Sequence, residues 1–372
     1  MKILYIGHYR EGGGWSNAAI DYILALDEAG IDVVCKDVKL TNHQAELPER
    51  ILQLEQKTID NVDYCIQHVL PHHLVGTEKF KKNVAYFVSE SNDLSNSNWI
   101  TNLNLMDEVW TANSSNKEVL EKSGIEKPVK VLPHASDLSK YNKNYKILDI
   151  NDIQHKFKFY YIGDMNDRKN IQSIIKCFHS EFDTDDQVAL VVKINKFGAS
   201  PEQLKEQFMN MSNGIKQIMR KSKNINDYCQ EVLITVPMSQ EQIQELHKTC
   251  DCLINISHGE AWAIPSFEAM AHGNTPICGN EGGPKEFIDA NNSDTGMLID
   301  GDYGVCMHTD PAFPDLFTGK EEWFIPSESK TKKAMRYYYE TRGVVDRKAG
   351  LKQAEKFSYE NISNKIKEYL SE

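Results

Sequence analysis

Short runs of β-branched and aromatic residues alternate with longer amphipathic stretches along this chain, and the alternation occurs twice. Strand-like runs separated by helical patterns are typical of a parallel sheet with helices on both faces. The chain has 372 residues, which is enough for two domains that each bury a core. We therefore predict an α/β protein of two doubly wound domains in tandem, which face each other across a cleft at the carboxyl ends of their sheets.

The two alternations predict these elements. In the first half, the predicted strands are Lys2–Ile6, Asp32–Cys35, Asp63–Gln67, Asn83–Val88, Glu108–Ala112 and Val129–Leu132. In the second half, they are Lys158–Gly163, Val188–Lys193, Val232–Val236, Cys252–Ile256, Thr275–Cys278 and Met297–Ile299. The predicted helices are Ser16–Ala29, Ser115–Ser123, Asn170–His179, Pro201–Arg220, Gln240–Lys248, Ser266–His272, Ser329–Arg342 and Phe357–Leu370. The polar stretch Ser139–Lys156 is predicted to link the two domains.

Composition excludes several classes of protein. The longest apolar runs, such as Val188–Val192 and Leu253–Ile256, are far shorter than the roughly 20 residues that a membrane-spanning helix needs. A net charge of −12 argues against binding nucleic acid or anionic lipid mainly through counterion release. The eight cysteines lie mostly in apolar segments, as buried reduced thiols do, and the N-terminus runs directly into a strand. We expect a cytoplasmic protein without a membrane span.

The segment His258–Pro276 is the most informative one for function. It follows a buried strand and opens a helix with a proline in the first turn, so the positive end of the helix dipole faces the predicted cleft and could hold a phosphate. Glu260 precedes this helix and Glu268 lies inside it. Two carboxylates can each accept hydrogen bonds from a pair of sugar hydroxyls. The same residues also fit an acidic loop followed by an ordinary helical glutamate.

This Glu-x7-Glu pair, the Glu-Ala-Met-Ala-x-Gly-x-x-Pro run and the segment Gly282–Glu286 resemble the donor site of retaining GT-B glycosyltransferases, glycosyltransferase family four in particular. The resemblance implies two Rossmann-like domains and a C-terminal helix that crosses back to the N-terminal domain. It implies that Glu260 contacts the transferred sugar and that Glu268 holds the nucleotide ribose. Backbone amides from residues 262–264 are expected to meet the sugar and diphosphate; these are Trp262, Ala263 and Ile264.

The family commonly has glycine where this chain has Ala261 and Ala263. If either position requires a positive φ, an alanine there is strained.

Two basic residues are predicted to bind the donor diphosphate. The turn Gly163–Asn170 resembles the family's turn after the first strand of the donor domain, where a frequent arginine is Asp164 in this chain. The role is therefore expected to pass to Arg168. Lys193 ends the next strand and resembles a second basic residue that points to the same place. Each also fits a surface charge; together with Glu260, they are our candidate catalytic residues.

The N-terminal half carries a glycine loop, Gly7–Ser16, between a strand and a helix. Its spacing is not the GxGxxG dinucleotide fingerprint, which argues against an oxidoreductase. It resembles the glycine loop of the family's acceptor domain, so Gly13 and Gly14 are expected to approach the donor phosphate and the acceptor. On the acceptor side we also expect Trp15, Glu90 and His134, although Glu90 fits a plain loop charge as well.

The resemblance implies residues 1–150 with 357–372 as the acceptor domain and 151–356 as the donor domain. The expected reaction moves a hexosyl or pentosyl group from a nucleotide-diphosphate sugar to a hydroxyl, with retention and without a cofactor or metal. Two Asp-x-Asp triplets, Asp183–Asp185 and Asp300–Asp302, are the candidates for a metal site. Both lie in polar turns, where aspartate is common for backbone reasons, so we do not expect them to bind a metal.

The acceptor is expected to be a glycan or a lipid-linked glycan, with membrane contact at most peripheral. A hydroxylated base of viral DNA is an alternative that the net charge disfavours. A nonhydrolysing sugar-nucleotide epimerase is a second alternative. A catalytically silent sugar-nucleotide-binding subunit is a third, suggested by Asp164, Ala261 and Ala263.

Overall fold

A computed structural model describes residues 1–41, 44–150, 152–196, 198–306, 318–343 and 346–372. The chain divides into two compact units. The first contains Met1–Lys140 and Glu355–Glu372, with a short stretch that ends at Glu322. The second begins at Tyr141 and ends with Trp323–Ala354.

The structure draws the boundary between the units at Lys140, earlier than the predicted boundary at residue 150. Ile150 and Ile153 are buried and pack in a core cluster with Tyr160 of the second unit. The stretch predicted as a linker is therefore partly a component of the second unit, because isolated isoleucines in a polar context still bury their apolar surface.

The first unit is a parallel α/β sheet, and all six strands predicted for it are present within the described residues. The sheet has the order β2-β1-β3-β4-β5-β6, and its neighbouring strands pair in parallel, for example Leu4 with Val34 and with Cys65. Its elements are β1 (Lys2–Gly7), α1 (Gly14–Glu28), β2 (Asp32–Asp37), α2 (Glu49–Glu55), β3 (Tyr64–His68), β4 (Lys82–Tyr86), α3 (Trp99–Leu103), β5 (Glu108–Thr111), α4 (Ser114–Lys122) and β6 (Val129–Val131).

The second unit repeats the architecture, again with the six predicted strands in one parallel sheet within the described residues. The strand order is β12-β11-β10-β7-β8-β9. Its elements are β7 (Phe157–Asp164), α5 (Ile171–Glu181), β8 (Val188–Asn195), α6 (Pro201–Met219), β9 (Gln230–Ile234), α7 (Gln240–Thr249), β10 (Cys252–Asn255), α8 (Ile264–Ala271), β11 (Ile277–Gly279), α9 (Pro284–Phe287), β12 (Met297–Ile299), β13 (Gly301–Val305), β14 (Glu322–Pro326), α10 (Glu328–Thr341) and α11 (Lys348–Ala354).

The last helix, α12 (Tyr359–Ser371), belongs to the first unit, as the resemblance implied. The Tyr359 hydroxyl donates to Asp21 at 2.6 Å, and the Tyr369 hydroxyl donates to the Val131 carbonyl at 2.9 Å. These bonds, together with the apolar face of α12 that includes Ile362 and Ile366, attach the C-terminus to α1 and β6.

The hairpin of β13 and β14 was not predicted, because two glycines in β13 and the proline-rich sequence that follows hide the strand period. Gly301 is necessary where it lies, since a Cβ there would collide with the Ile325 carbonyl of β14; a Cβ on Gly304 would meet only the movable end of the Ile325 side chain. In the part of the chain that the structure describes, no helix is both long and apolar enough to cross a membrane.

Candidate functional site

The candidate site of the second unit lies at the carboxyl ends of β7 and β10. These two strands are neighbours, and the chain proceeds from them toward opposite edges of the sheet, so a crevice forms above them. The turn after β7, Asp167–Lys169, touches the loop after β10 through a hydrogen bond from the His258 amide to the Arg168 carbonyl at 2.8 Å. The side chain of Asn170 also donates to the Ile256 carbonyl at 3.0 Å.

Glu260 is the centre of this contact. Its Oε1 accepts hydrogen bonds from Lys169 Nζ at 2.6 Å, from the Ser257 hydroxyl at 2.9 Å and from the Asn255 amide at 3.3 Å. Burial on its own would raise the pKa of Glu260, but the positive charges of Lys169 and Arg168 outweigh it, so the pKa lies below its ordinary value. Glu260 is therefore an ionised carboxylate fixed in one orientation.

Arg168 supplies a second positive charge next to Glu260. Its guanidinium donates to the Gly259 carbonyl at 2.7 Å and lies 3.9 Å from Glu260 Oε2. About four-fifths of the side chain is out of contact with water, since 19% is exposed. Two cations and one carboxylate leave a net positive charge at this point, which suits a phosphate group.

The helix after this loop begins at a strained alanine. Ala263 has φ +67 and is the N-cap of α8, where its carbonyl accepts hydrogen bonds from the amides of Ser266 and Phe267. Ala261 is absent from the positive-φ residues of the described chain. The strain foreseen at these two alanines is thus present at Ala263. The first turn of α8 carries amides without intrahelical acceptors and the positive end of the helix dipole.

Two glycines press against the outer side of the same loop. Gly282 has φ +66, and a Cβ there would collide with the Glu260 carbonyl; a Cβ on Gly283 would collide with Trp262. The amide of Gly283 donates to the Glu260 carbonyl at 2.9 Å. The Gly282–Glu286 segment therefore supports the backbone of the Glu260 loop directly.

Glu268 lies inside α8, and side chains of α7 contact its carboxylate. Its Oε1 accepts from the Gln244 amide at 3.0 Å, and its Oε2 lies 3.5 Å from His247 Nε2. Gln244 in turn accepts from His272 Nε2 at 2.6 Å. The Glu268 residue is only 5% exposed.

The hydrogen bonds around His247 define its tautomer. The Asn274 amide donates to the Tyr160 hydroxyl oxygen at 2.9 Å, and burial raises the pKa of Tyr160, so this phenol keeps its proton. The phenol can then donate to His247 Nδ1, which is 2.7 Å away. A neutral His247 consequently carries its proton on Nε2, on the side of Glu268. The donors thus run from Asn274 through Tyr160 to His247 Nδ1, whereas His247 Nε2 lies 3.5 Å from Glu268 Oε2 without forming a hydrogen bond.

Residues 143–302 match the sequence profile of the family described as Glycosyl transferases group 1, and this segment contains every residue of the site described so far. Among curated proteins, no sequence matches this chain.

Solved structures match over the full length. A sucrose-phosphate synthase from Thermosynechococcus elongatus superposes with a TM-score of 0.67 at 12% identity, covering 100% of this chain and 98% of that one. The lipopolysaccharide outer core galactosyltransferase WaaB gives 0.63 at 12% identity, with 100% and 99% covered. HepE from Anabaena, in a complex with UDP-glucose, gives 0.59 at 15% identity, with 100% and 99% covered.

This chain has the GT-B fold, and its residues 143–302 are similar to the family Glycosyl transferases group 1. The predicted fold class and the predicted relationship to GT-B glycosyltransferases are confirmed.

Lys193 lies in β8, which pairs with β7, but it does not end the strand as predicted, because β8 continues for two residues to Asn195. It is 3% exposed, and its amine donates to the Ile194 carbonyl at 3.2 Å and contacts the Asn195 side chain at 3.5 Å. Burial lowers the pKa of Lys193, against the opposing charge of Asp164. That Lys193 reaches a donor phosphate together with Arg168 stays a prediction.

The candidate acceptor residues of the first unit lie at the carboxyl ends of its strands. Trp15 stands over His68 with the ring centres 5.1 Å apart, and its indole donates to the His68 carbonyl at 3.3 Å. Tyr86 links His68 to His134, with centres at 4.6 and 6.4 Å. Burial lowers the pKa of His134 to about 3, so the ring is neutral. Trp15 and His134 therefore belong to one aromatic cluster; half-buried Glu90 follows β4 beyond Tyr86.

The two glycines predicted to approach ligand open α1. Gly13 is the N-cap residue with φ −94, and nothing lies within 4 Å of the position that a Cβ would take. Gly14 is the first residue of the helix. The left-handed residue of this loop is Gly12, with φ +76.

The sequence reasoning assigned no role to three residues that the structure places beside the predicted ones. Lys169 pairs with Glu260, His247 faces Glu268, and His68 lies under Trp15. Lys169 and His68 could have been found from their positions immediately after strands, where ligands bind in such sheets. His247 lies on a helix, and no local signal identifies it.

Proposed function

We propose that this protein is a glycosyltransferase that binds a nucleotide-diphosphate sugar in its second unit and transfers the sugar to a hydroxyl of an acceptor bound by its first unit. The observation that carries this proposal is the cluster of Glu260, Lys169 and Arg168 beside the N-terminus of α8, inside the segment that matches the family. The cations of the turn after β7 can bind a phosphate, and the carboxylate of the loop after β10 can accept hydrogen bonds from a sugar hydroxyl beside it.

Arg168 and Lys169 stabilise the leaving diphosphate. Negative charge on that group grows as the glycosidic bond breaks, so fixed cations contribute more in the transition state than in the ground state. The amides at the start of α8, from Trp262 to Ile264, add donors of fixed direction. We assign Lys193 to the same diphosphate, from the neighbouring strand.

The two glutamates hold the rest of the donor. Glu260 accepts hydrogen bonds from the transferred sugar, and Glu268 accepts from the ribose diol. The structural neighbours support a UDP-linked hexose as the first donor to test, since HepE is named in a complex with UDP-glucose and a second solved structure with UDP-2-fluoro glucose. Because cations are already in place at the diphosphate, we propose that the reaction needs no metal or cofactor. Retention of configuration rests on the family resemblance.

The acceptor binds at the cluster of Trp15, His68 and His134, beside Gly13, Gly14 and Glu90. An indole with its neighbouring imidazoles suits the apolar face of a sugar ring, so a glycan or a lipid-linked glycan is the proposed acceptor. The eight cysteines are buried free thiols, which favours the cytoplasm as the compartment of the reaction.

A thermal-shift screen against UDP, GDP and ADP, each with EDTA and with added Mg²⁺, tests the donor site. Binding raises the melting temperature by mass action, and we expect one nucleotide to do so in EDTA as well. The Lys169→Met variant should lose this shift, whereas Lys176→Met, which removes a lysine from the exposed face of α5, should keep it. If no nucleotide stabilises the wild-type protein under either condition, the proposed function is wrong.

The matching UDP, GDP or ADP sugars are then incubated alone and with simple sugar acceptors, with NMR detection of the products. Transfer or slow hydrolysis supports the proposal. Conversion of the donor into its epimer without an acceptor would identify an epimerase instead. Nucleotide binding with neither transfer nor hydrolysis would identify a silent subunit.

A further inference from the structure

A second concave site lies in the second unit, next to the Asp167–Lys169 turn. A cavity of about 480 Å³ is bounded by this turn, the first turn of α5, the middle of α6 and the hairpin of β13 and β14. Its volume is typical of sites for small molecules. Among the described residues that line it, none is Arg168, Lys169, Glu260 or Glu268, so it is separate from the proposed donor site.

One wall of the cavity lies beyond the segment that matches the family. The residues Val305, Trp323 and Ile325 belong to the hairpin, and all three follow the family-matched segment, which ends at residue 302. Val305 is 74% exposed and Ile325 is 44% exposed. Their apolar surface therefore contacts water, and a molecule in the cavity would cover it favourably.

The hairpin wall is fixed in place by the Glu260 loop. The rings of His258 and Trp323 stack with centres 5.0 Å apart and planes 9° apart. His258 Nδ1 is also hydrogen-bonded to the Phe324 carbonyl at 2.8 Å. The cavity is thus formed before any ligand binds, which is the usual state of a binding site for a small molecule.

The polar lining is neutral and rich in amides. Its charged groups are one carboxylate, Asp167, and one ammonium, Lys196; it also contains the imidazole of His258, whose pKa burial lowers, and the amide side chains of Asn166, Asn170, Gln172 and Gln207. An equal number of opposite charges is a poor match for a phosphate or for a divalent cation. An amide side chain has a donor and an acceptor next to each other. It can therefore hydrogen-bond to neighbouring hydroxyl groups of a sugar ring, which also donate and accept.

The apolar lining favours the same class of ligand. Met165, Ile171 and Met211 place aliphatic surface between the amides. Trp323 is 4% exposed and its ring is stacked on His258, so little open aromatic face remains for a planar nucleobase. Aliphatic patches between amides suit the C–H faces and hydroxyl edges of a pyranose. We propose that this cavity is a binding site for a neutral saccharide, free or within a longer glycan.

The test uses saturation-transfer NMR on the full chain. The probes are glucose, galactose, N-acetylglucosamine, maltose, lactose and cellobiose, with glucose 6-phosphate as a charged comparison. Gln207 is exposed on α6, so Gln207→Trp fills the cavity without changing the core. Lys205→Trp places the same ring on the same helix, at an exposed position outside the cavity lining. We expect at least one neutral probe to bind the wild-type protein and Lys205→Trp alike, and at least tenfold more weakly to Gln207→Trp.

Three results would overturn the proposal: no neutral probe binds, binding survives unchanged in Gln207→Trp, or glucose 6-phosphate binds better than every neutral probe. If maltose binds and cellotetraose or maltotetraose binds no better, the ligand is a free sugar; a gain with length indicates a glycan. The thermal shift with nucleotide is measured on the same variants. Since it reports on the donor site alone, failure of the proposed function and failure of the saccharide site are separate outcomes.

Discussion

The Nζ of Lys169 lies 2.6 Å from Oε1 of Glu260, although the two residues are 91 positions apart in the sequence. The pair joins the turn after β7 to the loop after β10, and Arg168 lies on the other oxygen of the same carboxylate. Since 17% of the lysine side chain and 10% of the glutamate side chain are exposed, the pair is largely removed from water. An interaction of this kind is costly to break from one side, because the remaining charge is left buried.

We expect Lys169→Met to lower the free energy of unfolding by about 2 to 4 kcal/mol at pH 7.5. The pKa of Glu260 is below its ordinary value in the folded protein, so the contribution of its charge is present above the ordinary pKa and is lost as the pH falls through the lowered one. In the variant, Lys169 no longer opposes the effect of burial, so the pKa of Glu260 rises and the carboxylate takes up a proton at a higher pH; the difference from wild type should therefore shrink as the pH falls.

Urea denaturation of both proteins at pH 7.5 and pH 5 measures this. The control is Lys176→Met, which breaks the ion pair between Lys176 and Glu328. The Lys176 side chain is 55% exposed. A surface pair of this kind contributes at most about 1 kcal/mol. A loss for Lys169→Met that equals the control, or that is the same at both pH values, would show that the charge on Glu260 does not depend on Lys169.

The second prediction concerns Glu268, which contacts His247 and the neutral amide of Gln244, whereas Glu260 contacts two cations. Glu268→Gln keeps the shape of the side chain and removes its charge. If Glu268 binds the ribose in ground and transition states alike, the nucleotide Kd should rise at least tenfold, about 1.4 kcal/mol, while kcat changes little. Calorimetric titration with the stabilising nucleotide and steady-state kinetics give the two numbers.

Glu241→Gln, an exposed position on α7, is the matched control and should leave both values unchanged. The contacts of Glu268 with Gln244 and His247 offer a purely structural role as the alternative. That alternative predicts a lower melting temperature with an unaltered nucleotide Kd, and this outcome would remove Glu268 from the donor site.

Much of the fold could be predicted from the sequence because the strands of the two sheets are short, mostly apolar runs that alternate with longer amphipathic stretches. The observed β8, Val188–Asn195, and α6, Pro201–Met219, begin at the predicted residues. The hairpin of β13 and β14 escaped prediction because glycine, which weakens a strand by itself, is required there by the close approach of Ile325.

The candidate site was predictable to the extent that its residues are neighbours in sequence. Glu260, Glu268 and Arg168 lie in segments with a recognisable pattern. The residues that contact them come from elsewhere in the sequence. Lys169, in the turn after β7, contacts Glu260, and His247, in α7, lies next to Glu268. Such pairs depend on the strand order and on the helix faces that tertiary packing brings together, neither of which spacing within a segment specifies.

Because Ala263, the N-cap of α8, is strained and Ala261 is not, we expect the substitutions Ala263→Gly and Ala261→Gly to change stability differently. A left-handed alanine costs about 1 to 2 kcal/mol, which Ala263→Gly relieves. That gain is offset by the loss of a buried methyl group and by the flexibility that glycine adds to the unfolded chain, so we expect stability within about 1 kcal/mol of wild type. Ala261→Gly loses the methyl group and gains flexibility without relieving strain, so it should be less stable by about 1 to 2 kcal/mol.

Both alanines are buried, with 5% of Ala263 and 8% of Ala261 exposed, so the two variants form a matched pair. Their midpoints in urea give the comparison. If Ala263→Gly is as unstable as Ala261→Gly, the positive φ of residue 263 carries no strain in solution.

The last expectation concerns Gly13, whose conformation does not require glycine. Its φ is −94 and a Cβ would meet nothing within 4 Å, so Gly13→Ala should fold with a stability within about 1 kcal/mol of wild type. The gain of about 0.4 to 1 kcal/mol from a less flexible unfolded chain is offset because alanine is a poorer N-cap than glycine. A methyl group at this position would nevertheless block a ligand that approaches the backbone closely, and we expect kcat/KM to fall at least tenfold.

Gly214→Ala is the control, because Gly214 lies inside α6 and a Cβ there also meets nothing within 4 Å. The Gly214→Ala variant should be more stable than wild type by about 1 kcal/mol, the usual value for a glycine within a helix, and its kcat/KM should be unchanged. Together, the two variants separate the folding role of a glycine from its role in binding. If Gly13→Ala retains full turnover with donor and acceptor, no ligand approaches Gly13, and the acceptor-side assignment of the glycine loop has to be abandoned.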